Sequence, residues 1–317
     1  MIQGHSCAAV SASGQIQHDY LLCGWRVRST LALPELAPWS GTNLADDRDG
    51  VDVTIEEAPV PERLDPAQPP GSWFEVGRDG SVLLQIPELV RLHVQAGRSI
   101  RVQRLNAHDE GWRLFLLGSA LGYLSLQRGL FPLHAACVRV GGKTVAIAGH
   151  SGAGKSTLSA ALLKRGHGLL SDDLTVLRCD ERSIEVLPAF PRLKLWHDAL
   201  HALHIPSDGL SRVRLGMDKF DLRPQAGFDA TPAWLDAILL LQDAPDPQLQ
   251  RCSPAAALPL LHANLARPQA AARMGLRATT FAQAAAIARQ VPTWRLRRPR
   301  RFDALAATAE LIESGLV

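Results

Sequence analysis

The octet at residues 149–156, G-H-S-G-A-G-K-S, constrains this chain more than any other stretch, because a G-x-x-x-x-G-K-[ST] loop works only between a strand and a helix. Residues 144–148 (T-V-A-I-A) are β-branched and apolar, and Leu158, Leu162 and Leu163 follow at helical spacing, so strand, loop and helix are predicted in that order. Gly166 stands where such a helix would end. Gly149, Gly152 and Gly154 allow the tight turning by which successive N–H groups face one anion. The predicted polyphosphate contacts are Gly149, His150, Ser151, Gly152, Ala153, Gly154, Lys155, Ser156 and Thr157. Lys155 reaches the β and γ phosphates, Ser156 ligates Mg²⁺, and the helix N-terminus adds its positive dipole. The implied ligands are ATP and Mg²⁺.

A second feature lies shortly behind the loop, where Asp172 and Asp173 close another apolar run. An acidic pair there can divide two tasks, one carboxylate holding Mg²⁺ beside Ser156 and the other taking the proton of an attacking hydroxyl. We assign Asp173 to the metal and Asp172 to the proton, with the reverse division open. Charge on a transferring phosphoryl group must also be met from outside the loop, and Arg192, Lys194, Arg212, Arg214 and Lys219 lie in the stretch that follows. The run at 294–301, W-R-L-R-R-P-R-R, reads most simply as an exposed strand followed by a Pro-broken loop.

The chain has 317 residues, long for one domain and suited to two. We expect an α/β protein: a β-rich N-terminal module over residues 1–109, a linking helix over 110–128, and a P-loop kinase domain over 129–317. In the first part, residues 51–55, 82–86 and 89–94 alternate as strands, and the proline-rich stretch 59–71 is a loop. Residues 110–127 are apolar around most of a helical circumference, predicting a buried helix, with the P-loop domain as the expected packing surface. Residues 134–140 and 144–148 are predicted to pair as a hairpin through Gly141 and Gly142. A net charge of +3 gives no reason to expect a nucleic-acid partner. Residues 1–10 carry no basic stretch ahead of an apolar run, and 234–241 is too short to span a bilayer, so no secretory signal and no membrane span are expected. Cys7, Cys23, Cys137, Cys179 and Cys252 are scattered without a C-x-x-C, as in a protein of a reducing cytoplasm.

The order G-H-S-G-A-G-K-S at 149–156, K-R-G-H at 164–167 and L-S-D-D at 170–173 resembles the C-terminal catalytic domain of bacterial HPr kinase/phosphorylase. The close likeness covers about 133–177, and His134 is similar to that family's active-site histidine. The resemblance implies a catalytic role for His134 beside Asp172 and Lys155, its protonated ring offsetting charge near the γ-phosphate. Stretches at 191–196, 254–261 and 291–296 resemble diverged relatives that phosphorylate a serine on ribosomally made peptides, notably the C-terminal serine of lasso-peptide precursors. The chain has no E-V-R-G-L-G-type segment, which HPr kinases proper carry downstream of the acidic pair. The expected activity is therefore transfer of the ATP γ-phosphoryl group to a serine of a peptide or small protein. The alternatives are an HPr-type kinase/phosphorylase, a small-molecule kinase or a P-loop NTPase regulatory module; self-association is left open.

Overall fold

The computed structural model describes residues 8–10, 16–39, 50–64, 73–214, 216–224 and 226–316. Two compact units emerge, the first comprising Met1–Gly129 with Arg267–Leu276, the second Leu130–Ala266 with Arg277–Val317.

The first unit is built on a nine-stranded sheet. Its strands include Trp25–Ser29, Val53–Glu57, Val82–Ile86, Val90–Gln95 and Ser99–Arg104, and inward valines, leucines and isoleucines alternate with exposed polar residues in several of them. The proline-rich loop expected at 59–71 lies partly outside the described residues. Residues 112–127 are helical, as their apolar circumference requires, with a π turn at Leu116–Ala120 between two α segments. By its contacts this stretch belongs to the first unit. Gln127 at its end explains the attachment: its side-chain amide donates to the carbonyls of Gly80 and Val94, and its Oε1 accepts from the Gly97 amide.

The second unit carries the octet. Ala135–Val140 and Lys143–Ala148 form the expected hairpin, with Val140 opposite Lys143. The six-stranded sheet has the order Gly168–Ser171, Ala135–Val140, Lys143–Ala148, Ala237–Asp243, Thr293–Arg298, Gln248–Arg251. Lys143–Ala148 pairs in parallel with Ala237–Asp243, which pairs in parallel with Thr293–Arg298. Residues 144–148 and 237–241 read as unbroken apolar runs because both faces are covered. The helix Lys155–Lys164 packs Leu158 and Leu162 into the same core as Val145, Ile147 and Leu239, together with Ile312 of the C-terminal helix Leu305–Leu316. Gly166 follows it at φ +92°, a left-handed position that suits a residue without Cβ. A second small sheet places Leu193–Trp196 antiparallel to Lys219–Leu222. The bidentate pair of the buried Arg192 with Asp221, at 2.7 and 2.6 Å, ties these strands together.

Candidate functional site

The loop between Ala148 and Lys155 opens onto a cavity of about 620 Å³ within the second unit, in the range of nucleotide and cofactor pockets. Ser151, Gly152, Gly154, Lys155, Ser156 and Thr157 line it; Gly149, His150 and Ala153 do not. Gly154 has φ +86°, a left-handed position that favours glycine, and a Cβ there would come within 2.5 Å of Arg298 Nη2 and displace the end of that side chain. The Ala153 amide donates to the His150 carbonyl at 3.1 Å, and its own carbonyl accepts from Arg298 Nη2 at 2.6 Å. That residue shapes the loop through both backbone groups.

Lys155 is buried, and its ammonium has three acceptors: the carbonyls of Gly149 and His150 at 2.8 and 3.1 Å and His134 Nε2 at 3.0 Å. Burial pulls its pKa down, against the pull of Asp173 and Asp172. His134 Nδ1 lies 2.9 Å from the Asp173 carbonyl oxygen. One tautomer satisfies every partner: Nδ1–H donates to Asp173 and Nε2 accepts from Lys155. Nδ1 also stands 3.5 Å from Asp173 Oδ1, an ion pair whenever the ring is protonated. The imidazole orients the lysine and the turn that carries the acidic pair.

The pair itself is split by the backbone. The Leu174 amide donates to the Asp172 carbonyl at 2.9 Å, enclosing Asp173 at φ +72° in a strained three-residue turn. Such strain in a residue with a Cβ costs free energy and is concentrated at functional sites. Asp172 faces inward: its Oδ1 accepts from Ser156 Oγ at 2.8 Å and its Oδ2 from the Lys194 amide at 3.0 Å. Burial, then the neighbouring Asp173, pushes its carboxyl above the usual range. Asp173 faces the cavity, with Oδ2 2.7 Å from Lys194 Nζ. Burial would raise it too, but Lys194, with His134 and Lys219 behind it, overrides this and holds the carboxyl well below the usual range. The sequence reading joined Ser156 to Asp173; the structure joins it to Asp172, because the turn points the two side chains apart.

The basic candidates divide as sharply. Lys194 and Lys219 line the cavity. Lys219 lies over the Trp196 ring at 5.6 Å, and burial and Lys194 lower its pKa. Arg192 is a buried strand tie, and Arg212 pairs with Asp218 on the surface; neither lines the cavity, nor does Arg214.

Sequence reasoning missed the opposite wall. The strand expected within 294–301 is present as Thr293–Arg298, but it lies between two strands of the sheet with Leu296 fully buried and is not an exposed one. Arg298, 4% exposed, is aimed at the loop, and Arg300, Arg301 and Phe302 continue the cavity wall. The available signal was the alternation of Leu296 and Arg298 on one strand face, masked by the density of arginines.

Among the described residues Cys23, Cys137, Cys179 and Cys252 are free thiols; Cys7 lies outside them. No helix among them is long and apolar enough to cross a membrane.

Residues 130–188 match the family described as HPr Serine kinase C-terminal domain. The chain is 33% identical over 93 residues to an HPr kinase/phosphorylase of Chlorobium limicola, covering 29% of this chain and 26% of that protein. It is 46% identical over 56 residues to a protein of Oceanobacillus iheyensis named Putative HPr kinase/phosphorylase 2, covering 17% and 18% of the two chains. The likeness thus spans about a quarter or less of these relatives' own lengths. The solved HPr(Ser) kinase/phosphatase from Coxiella burnetii aligns over 58% of this chain and 95% of its own, at 15% identity and a TM-score of 0.32.

Proposed function

From the premise that this chain is HPr-kinase-like through residues 130–188, we propose that it is an ATP-dependent phosphotransferase acting on a serine hydroxyl of a peptide or small protein. The observation that carries the reading is the contact of Ser156 Oγ with Asp172 Oδ1, directly behind a phosphate loop, while Asp173 faces the cavity. Two hard oxygen donors 2.8 Å apart fit the ligand preference of Mg²⁺. Ser156 and Asp172 would hold the ion, reversing the division first drawn between the two aspartates. When bound, Mg²⁺ neutralises charge on the β and γ oxygens.

Lys155 and the loop amides hold the polyphosphate, and His134 holds Lys155. The serine oxygen attacks the γ-phosphorus as the bond to the β–γ bridging oxygen breaks; ADP departs, and the serine proton passes to Asp173. The low pKa of Asp173 makes it a weak base, which suffices because the loose transition state of phosphoryl transfer demands positioning more than basicity. Lys194 and Lys219 supply positive charge on the acceptor side.

The narrower acceptor we propose is a ribosomally made lasso-peptide precursor, supported by the likeness at 191–196, 254–261 and 291–296; an HPr-type protein is the alternative. Mg-ATP labelled at the γ position, incubated with the chain and a serine-containing precursor peptide or HPr, should yield labelled acceptor. Release of free phosphate alone, at a rate that no acceptor changes, would make the chain a hydrolase.

A further inference from the structure

The cavity wall opposite the acidic pair has no part in the phosphotransfer steps above. Its place follows from strand order. Lys143–Ala148, Ala237–Asp243 and Thr293–Arg298 run parallel, so their C-terminal ends share the sheet edge that bears the phosphate loop. Ligands of open α/β sheets bind outside that edge. The acidic pair follows Gly168–Ser171 on one side of the loop strand, and residues 298–305 follow Thr293–Arg298 on the other. A nucleoside triphosphate that lies along this edge with its γ-phosphate beside Asp173 runs its α-phosphate and nucleoside toward the residues that follow Thr293–Arg298.

That segment is shaped for such a guest. Arg298 is buried beneath the loop with its guanidinium on the Ala153 carbonyl. Arg300 Nη2 lies 3.5 Å from the point a Cβ on Gly152 would occupy, alongside the loop backbone. Phe302 leaves 43% of its surface exposed in the same cavity, while Leu305 beneath it is buried. A large apolar ring kept at the mouth of a cationic cavity gains nothing from water, and it offers a flat face to an aromatic base.

We propose that Phe302 and Arg300 form the nucleoside subsite of the site assigned above, the ring stacking on the base and the guanidinium facing the α-phosphate and ribose. This rests on the phosphate-loop reading. Because Phe302 recognises a π face and no hydrogen-bonding edge, the base is selected by stacking.

Calorimetric titration of the full chain with Mg-ATP and, separately, with Mg-tripolyphosphate tests the subsite. Wild type should bind ATP tighter than tripolyphosphate by roughly 5–150-fold, the range for one stacked base. Phe302→Ala should lose most of that preference while tripolyphosphate affinity stays at the wild-type value, and Phe302→Trp should retain it. An unchanged ratio in Phe302→Ala, or a loss of tripolyphosphate binding in step with ATP, overturns the subsite. Wild type that binds neither compound overturns the phosphate-loop reading itself, a distinct result.

Discussion

The two flanks of the phosphate loop answer negative charge in opposite ways. On the flank of Gly168–Ser171, two aspartates are interleaved with Lys194, Lys219, Lys155 and His134, so that opposite charges neutralise one another within a few ångströms. On the flank of Thr293–Arg298 three arginines line the cavity, and one of them is buried against a loop carbonyl. Carboxylates stand where a metal ion and a proton have to be handled, and their pKa values must be driven apart. Guanidinium groups stand where fixed negative charge has only to be met, since they never titrate in a protein. Each flank therefore makes its own prediction about which kinetic constant moves.

Loss of the loop lysine should have the largest effect, because it removes the cation common to both flanks. Lys155→Ala is expected to lower phosphotransfer by at least about 10³-fold, the scale for removing a charge that stabilises a transferring phosphoryl group. Far-ultraviolet circular dichroism should remain that of wild type. Wild-type turnover in this variant would end the phosphate-loop assignment.

Next come the aspartates, which should give unequal phenotypes because the strained turn points them apart. Asp173→Asn cannot accept the serine proton, so turnover should fall by roughly 10²–10⁴-fold with nucleotide affinity unchanged. Asp172→Asn weakens the oxygen pair at Ser156, so part of its activity should return at high Mg²⁺ or with Mn²⁺. If the metal rescues Asp173→Asn instead, the roles are those first drawn from the sequence.

On the arginine flank the effect should fall on binding. Arg298→Met removes the donor to Ala153 and leaves that carbonyl without its partner, a loss of about 1–3 kcal/mol in loop order. The KM for ATP should rise by roughly 10-fold, with kcat changed far less. A kcat loss matching that of Asp173→Asn would erase the distinction between the two flanks.

The same contrast explains what the sequence made legible. The loop, its hairpin and its helix were readable because strand, turn and helix signals there are contiguous: residues 144–148 pair through Gly141 and Gly142, and Gly166 closes the helix. The strand at 82–86 was also evident from local pattern. The partners of Asp172 were not, because a left-handed Asp173 has no local signature and decides which carboxylate meets Ser156. Arg298 was hidden for a different reason. It stands 145 residues from the carbonyl it holds, and only the parallel pairing of three strands brings the two together. Trp196 and Phe302 escaped notice likewise, since an exposed aromatic means little until a cavity is found beside it.

The smallest expected effect is one of stability, and it probes why the acidic flank is costly to build. Asp172 is 8% exposed, and burial with Asp173 nearby raises its pKa, so its charged form is disfavoured in the metal-free fold. A carboxyl whose folded pKa exceeds its unfolded one contributes stability that is complete below the ordinary aspartate pKa and is lost as pH rises through the raised value. Asp172→Asn removes the charge at every pH. Its amide can still accept from the Lys194 amide and donate to Ser156 Oγ, so both contacts survive. Without Mg²⁺ the variant should therefore melt above wild type at pH 7–8, by about 2–4 °C for each kcal/mol recovered in a unit of this size, and the curves should converge as pH falls toward 4. Added Mg²⁺ should stabilise wild type at concentrations that leave the variant unchanged, closing the gap from the other side. A variant less stable than wild type at pH 8 without metal would mean that Lys194 and Ser156 more than offset the burial of the Asp172 charge.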